Sequence, residues 1–191
     1  NDMPGRLMFM TTADGATDAT ERLRIDSSGR LLVGHTSALT AEGIFQKQLV
    51  GTDFATSGVA QFRFQGGVSG PTIALAHSRN GTKGSHTILA DNDEFGKIRF
   101  YGSDGSDFGQ FGAEIRAIVN GTPGISDMPG ALTFGTTADG AAISTERLRI
   151  DSSGRLLIGH TSAIEIGGGT FFRSQIIGTS YDTSGFVQTR F

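Results

Sequence analysis

The sequence predicts an all-β protein of short antiparallel strands and hairpins arranged in tandem repeats, and three observations support this. Residues 2–39 return 125 residues later as residues 127–164, with 30 of the 38 paired positions identical. Wherever a hydrophobic period can be read it is two, which is the period of a strand. Glycine makes up 29 of the 191 residues, about twice its usual share, and Asn-Gly and Asp-Gly pairs separate the alternating segments.

The repeat divides the chain into a full unit, residues 1–125, and a partial unit, residues 126–191. After residue 164 the match resumes at a spacing of 127, where residues 45–64 correspond to residues 172–191. A long repeated unit is typical of arrays in which each copy adds length rather than a new reaction. Both ends fall inside the pattern, so we expect a fragment of a longer protein.

The clearest element is a hairpin near the start of each unit. Residues 6–10 and 21–25 alternate, and the second run stops at Asp26-Ser27-Ser28-Gly29 before residues 30–33 begin. Asp26 can accept a hydrogen bond within its own turn, and Gly29 tolerates a left-handed backbone. Residues 151–154 repeat this turn, so strand, four-residue turn and strand are predicted in both copies.

The rest of the first unit follows the same pattern. Residues 71–76, 97–101 and 113–119 are predicted strands, followed by the turn pairs Asn80-Gly81, Asp104-Gly105 and Asn120-Gly121. We expect about eight or nine short strands in each unit. Residues 37–49 could form a helix, but their counterpart contains three consecutive glycines, which would cost a helix about 3 kcal/mol. An irregular surface connection is therefore predicted there.

Composition narrows the classes of partner. Leu, Ile, Val and Phe together form about a quarter of the chain, enough for folding. A net charge of −3 with scattered Lys and Arg gives no nucleic-acid surface, and no apolar run approaches the ~20 residues of a membrane helix. Short strands leave apolar faces and edges uncovered, so a second sheet is needed, from the same chain or from sister chains. Composition leaves both options open.

Few residues suggest chemistry. His35 and His160 occupy equivalent places, and threefold copies of one of them could hold a metal, but a strand-end histidine bonded to backbone is the simpler interpretation. The acidic run Asp91-Asn92-Asp93-Glu94 could bind calcium or act as a glycosidase pair, yet a solvated turn explains it equally well.

Other motifs are weaker still. Glu21 and Glu146, each followed by two nearby arginines, are predicted to line an exposed face with cross-strand ion pairs. The segment 81–87 lacks the residue order of a phosphate-binding loop. We predict no catalytic, cofactor-binding or metal-binding residues, no cofactor and no enzymatic activity.

Six phrases in succession resemble the repeats of bacteriophage tail fibre proteins: GPTIALA (70–76), FGKIRFYGSDG (95–105), AEIRA (113–117), GTPGISDMPG (121–130), LTFGTTADG (132–140) and ERLRIDSSG (146–154). The resemblance implies an elongated, intertwined homotrimeric fibre, extracellular on the virion tail. It implies identical chains and other virion tail proteins as partners, and a host surface glycan or outer-membrane receptor as a further one. It implies neither nucleic-acid binding nor membrane insertion.

The resemblance has limits. The segment after Gly29 and Gly154 reads Arg-Leu-Leu-Val/Ile-Gly-His-Thr-Ser, more apolar at its start than related repeats and with His where Thr is usual. The self-cleaving chaperone domain of many such fibres has no match here, so no protease residues are carried over. A tailspike-like polysaccharide depolymerase and a bacterial surface adhesin remain the alternatives.

Overall fold

A computed structural model describes residues 3–165 and 173–176. The chain forms two compact units, Asn1–Thr72 with Ser103–Gly109 and Ile73–Gly102 with Gln110–Phe191. Each unit contains one β-sheet, and the helix α1, Phe54–Ser57, has only four residues. The all-β prediction is confirmed. Among the described residues there is no helix of the length and apolarity that crossing a membrane requires.

The first unit holds a four-stranded sheet whose strands follow chain order. It consists of β1 (Leu7–Thr11), β2 (Thr20–Ile25), β3 (Leu31–Val33) and β4 (Lys47–Leu49). The first three strands are antiparallel neighbours, whereas β3 and β4 run parallel. A parallel pair needs a long crossover, which residues 34–46 supply.

The second unit holds a six-stranded sheet in the order β10-β9-β8-β7-β6-β5. Its strands are β5 (Glu94–Tyr101), β6 (Phe111–Val119), β7 (Gly130–Thr136), β8 (Thr145–Ile150), β9 (Leu156–Ile158) and β10 (Ser174–Ile176). The strands β7 to β10 pair antiparallel, antiparallel and parallel, as β1 to β4 do. The duplicated sequence therefore folds in the same way twice. The division into repeat units 1–125 and 126–191 stays a prediction about domains.

The predicted hairpin turn is confirmed in both copies. Asp26 accepts hydrogen bonds at its Oδ1 from the Ser28 and Arg30 amides, at 2.9 and 3.0 Å, and Gly29 has a φ of 75°. Asp151 forms the same bonds in the second copy, at 3.0 and 2.9 Å. The aspartate stabilises the turn because it accepts hydrogen bonds from backbone amides that have no partner in the β-ladder.

A β-bulge interrupts the ladder at the same place in each copy. The β1–β2 register shifts after Phe9, and Arg22 is left without a partner residue. Residues three apart normally lie on opposite faces of a strand, but one extra residue returns them to the same face. Glu21 and Arg24 therefore share a face. The β7–β8 ladder shifts equivalently around Arg147.

Three predictions of local structure are wrong. Residues 71–76 are not in a strand of the single chain, because no segment within residues 3–165 and 173–176 pairs with their backbone. The described part of the first repeat unit, residues 3–125, has six strands instead of eight or nine. Within the connection 37–49, residues Lys47–Leu49 form β4, since they pair with β3. Three residues are too few for a period to be read from sequence.

Candidate functional site: the exposed apolar sheet faces

One face of the six-stranded sheet carries an unbroken row of apolar side chains, one from each strand. Successive ladder partners make up this row: Ile98, Ile115, Phe134, Leu148, Ile158 and Ile176. Its inner members are half-buried, while Ile98 at the edge is 52% exposed. Because alternate residues point to the same side of a strand, the row defines one face of the sheet.

A second apolar row runs beside the first on the same face. It contains Ala117, Leu132, Ile150 and Leu156, which are again successive ladder partners. Leu132 and Ile150 are both exposed. Together the two rows form what we call the apolar face of this sheet.

The four-stranded sheet has an equivalent apolar face. One row joins Phe9, Leu23, Val33 and Leu49, and a second joins Leu7, Ile25 and Leu31. All but Val33 and Leu49 are identical in the second copy, at positions 125 residues later. Leu7 and Phe9 are each more than half exposed.

The opposite face of the six-stranded sheet is largely buried, and it holds polar side chains beside the apolar Ile118, Ala131 and Leu157. Glu114, Thr133, Arg149 and Gln175 are each less than 9% exposed. An ordinary solvated sheet covers its apolar face and presents its polar face to water. In this sheet the side that holds the buried charged residues is covered within the chain, whereas much of the apolar side is exposed to solvent.

Hydrogen bonds satisfy most of the buried polar groups on this face, although the Arg116 Nε is buried without a partner among the described residues. Glu114 accepts from the Arg99 Nε at 3.1 Å and from the Ser144 hydroxyl at 2.8 Å. Burial by itself would raise the pKa of Glu114, but the bonds from Ser144 and Arg99 lower it overall. The Gln175 amide bonds both backbone groups of Ile164, at 2.8 and 3.0 Å. Buried polar groups are tolerated when paired in this way.

The glutamates predicted to lie on an exposed face are instead largely buried, each within its own sheet. Glu146 pairs with Arg149 at 2.6 Å, with the two side chains only 11% and 9% exposed. Glu21 pairs with Arg24 at 2.5 Å, and that hydrogen bond is the main cause of the lowered pKa of Glu21. Both pairs run along one strand rather than across strands. The prediction was wrong because the bulges change which residues share a face.

His35 and His160 lie at the starts of the crossover connections, in different units. Their Nδ1 atoms bond the carbonyl oxygens of Ser37 and Ser162, at 2.6 and 2.5 Å, so each Nδ1 carries the proton and donates. The two Nε2 atoms are buried without a partner. Over residues 3–165 and 173–176, no three metal-ligating side chains gather. Whether threefold copies of either histidine hold a metal stays a prediction about the assembly.

The acidic run 91–94 forms a turn whose carboxylates have separate partners. Asp91 accepts from the Gly121 amide at 2.8 Å, and Asp93 pairs with Arg79 at 2.7 Å. A backbone bond from Ala90, followed by the Arg79 contact, lowers the pKa of Asp93. The two aspartate carboxylates thus stabilise the turn and its neighbours, which favours the turn interpretation over calcium binding or glycosidase chemistry.

The apolar faces were not identified from the sequence as a site. The alternation within each strand was a usable signal, since it places Leu7 with Phe9 and Leu23 with Ile25 on common sides. Joining these sides into continuous rows requires the register of each ladder, which the alternation does not specify.

Comparison with solved structures places this architecture among known folds. The chain is similar to the carboxy-terminal domain of the bacteriophage T5 L-shaped tail fibre, with a TM-score of 0.64 and 18% identity over 98% of this chain and 76% of that one. It is similar to the same domain with its intra-molecular chaperone domain, with a TM-score of 0.62 and 16% identity, where it spans 53% of that chain. No family model and no curated protein matches the sequence.

The resemblance noted in the sequence is thereby confirmed at the level of architecture. The ordered repeat phrases and the three-dimensional similarity point to the same fold. The chain has the fold of the carboxy-terminal domain of a bacteriophage tail fibre.

Proposed function

We propose that this chain is a non-enzymatic structural segment of a phage tail fibre that assembles as a homotrimer through its apolar faces. The observation that carries the proposal is the exposure of the six-stranded sheet: the face with the paired charged residues is covered, while the apolar face holds exposed side chains such as Ile98, Leu132 and Ile150. Monomeric proteins rarely expose contiguous apolar patches of more than a few hundred Å². Covering these faces with copies of themselves removes them from water.

The duplicated sheet supports the role of a rod or spacer. The same apolar face recurs in both copies, so each additional repeat adds another face to be covered in the same way. Stability then grows roughly in proportion to the number of repeats, which suits an elongated assembly. A place on the virion tail, next to other tail proteins, follows from this proposal.

Light scattering coupled to gel filtration tests the assembly. The chain has a mass of 20.0 kDa, and the proposal predicts a species of about 60 kDa that persists on dilution. A well-folded species of monomeric mass would contradict it. Circular dichroism on the same fractions separates an unfolded chain from a folded monomer.

Host recognition is a second proposed role, carried by the loop that follows residue 76. Nine residues between 76 and 86 line an open cavity of about 440 Å³, among them Asn80, Thr82, Lys83 and Ser85. Hydroxyl and amide groups in a shallow cavity suit a neutral surface glycan, and repeated copies would strengthen weak single contacts. Binding of the assembled protein to glycans from candidate hosts tests this, with the loop variant Asn80→Ala as the comparison.

A depolymerase would need two carboxylates about 5 to 10 Å apart across a cleft. The acidic run 91–94 instead uses its carboxylates on neighbouring donors, and this favours the structural role. If the assembled protein released reducing ends from host polysaccharide, the depolymerase would be favoured over the structural role.

A further inference from the structure

We infer that the segments 59–64 and 71–76 are strands that pair with a second copy of this chain. The inference rests on the proposed assembly and adds which parts of the backbone interlock. It accounts for part of the difference between the eight or nine strands predicted for the repeat unit and the six found within residues 3–125.

The side chains of both segments have the alternation of a strand but are exposed to solvent. Phe62 and Phe64 are 80% and 96% exposed, and in the second segment Ile73 and Leu75 are also exposed. Each pair is two residues apart, so its members would share one face of a strand. Glycine-rich residues 65–70 separate the segments, as a link between two strands would.

The backbone of these segments has no partner within the described chain. Across residues 59–76 no main-chain N–H or carbonyl is hydrogen-bonded to another described residue. A run of this length without secondary structure is uncommon in a compact domain. The exposed phenylalanines would leave water only if the backbone beside them were paired as well.

One of the two segments already lies against a strand. A Cβ atom added to Gly96, in the edge strand β5, would be 2.6 Å from the Leu75 Cβ. Only glycine permits this approach, so residues around Leu75 lie directly over the start of β5. His77 contacts the same edge, where its Nδ1 is 2.8 Å from the Glu94 carbonyl oxygen.

A second copy of this chain is the partner that fits, because every copy has both the unpaired segments and sheet edges that can accept a strand. The strands β1 and β5 each pair on one side only, and all five residues of β1 are exposed. Free edges accept additional strands through main-chain bonds. Phe62 and Phe64 alone offer about 350 Å², taking 200 Å² for a whole phenylalanine. A stable interface needs about 800 Å² per partner, so these two residues supply nearly half.

Hydrogen exchange measured by mass spectrometry on the assembled protein tests the inference. We expect the amides of residues 60–64 and 72–76 to exchange at least about 100-fold more slowly than an unstructured chain, while residues 66–70 exchange near that rate. A trimer in which both segments exchange at the unstructured rate overturns this inference and leaves the proposed assembly standing. A monomer by light scattering overturns both.

A proline substitution gives a second test. Gln61→Pro removes an N–H that the single chain does not use, so the fold of one chain does not depend on it. We expect the yield of trimer to fall at least about tenfold, whereas Ser69→Pro in the glycine-rich link leaves it unchanged. Equal trimer yields from the two variants would overturn the pairing of the first segment.

Discussion

Replacing Ile98 by serine should weaken the assembly strongly without unfolding the chain. Ile98 ends the longer apolar row and is 52% exposed, so about half of its surface is open to contact with another chain. Roughly 70 Å² of apolar surface at about 25 cal/mol per Å² corresponds to about 1.8 kcal/mol per chain. Three copies give about 5 kcal/mol, or about a 10⁴-fold loss in the trimer association constant.

The matched control is the neighbouring residue on the opposite face. Lys97 is paired with Glu94 at 3.0 Å, with both side chains about one third exposed, so its removal should cost less than about 1 kcal/mol per chain. Sedimentation equilibrium of the wild type, Ile98→Ser and Lys97→Ser at matched concentrations measures the difference. If the two variants dissociate to the same extent, the apolar face is not the assembly surface and the reasoning fails.

Three further predictions concern the stability of the fold, each read from denaturant midpoints. Glu146→Gln should destabilise the protein by about 2 to 4 kcal/mol, because Arg149 would stay buried without its carboxylate; an unchanged midpoint would mean that the pair is not needed. Gly34→Ala should cost about 2 kcal/mol or more, since Gly34 has a φ of 80° and a Cβ there would lie 2.2 Å from a carbonyl oxygen, whereas Gly43→Ala meets no atom and should be near neutral. Burial raises the pKa of Asp151 but hydrogen bonds lower it overall from 3.8, so its stabilisation is present above that value and lost as pH falls through the folded pKa. Asp151→Asn should therefore lose less stability than the wild type between pH 7 and pH 3.

Local structure followed largely from the sequence. Turns with Asp26 and Gly29 in their key positions formed as predicted, because the aspartate bonds and the glycine φ depend only on residues within the turn. The strands predicted at residues 97–101 and 113–119 also formed, within β5 and β6. Both segments pair with neighbouring strands of the same chain, so the structure that their alternation predicts is also the one that forms.

Segments that need distant partners were predicted less well. Residues 71–76 have the alternation of a strand, yet no described segment of the single chain pairs with their backbone. The three residues of β4 carry almost no pattern and still form a strand, because β3 supplies a parallel edge. Alternation shows that a segment can form a strand. Whether it does so depends on whether a strand with a free edge lies beside it.

The sequence by itself determined the repeat, the aspartate-glycine turns, and the alternation of side chains between the two faces of each regular strand. Tertiary structure alone decided the ladder register, the bulges that join Glu146 to Arg149, and above all which face is covered. A period of two divides a strand into two faces but does not say which of them meets another surface. That choice depends on contacts between residues far apart in the chain, and here it left the apolar side open.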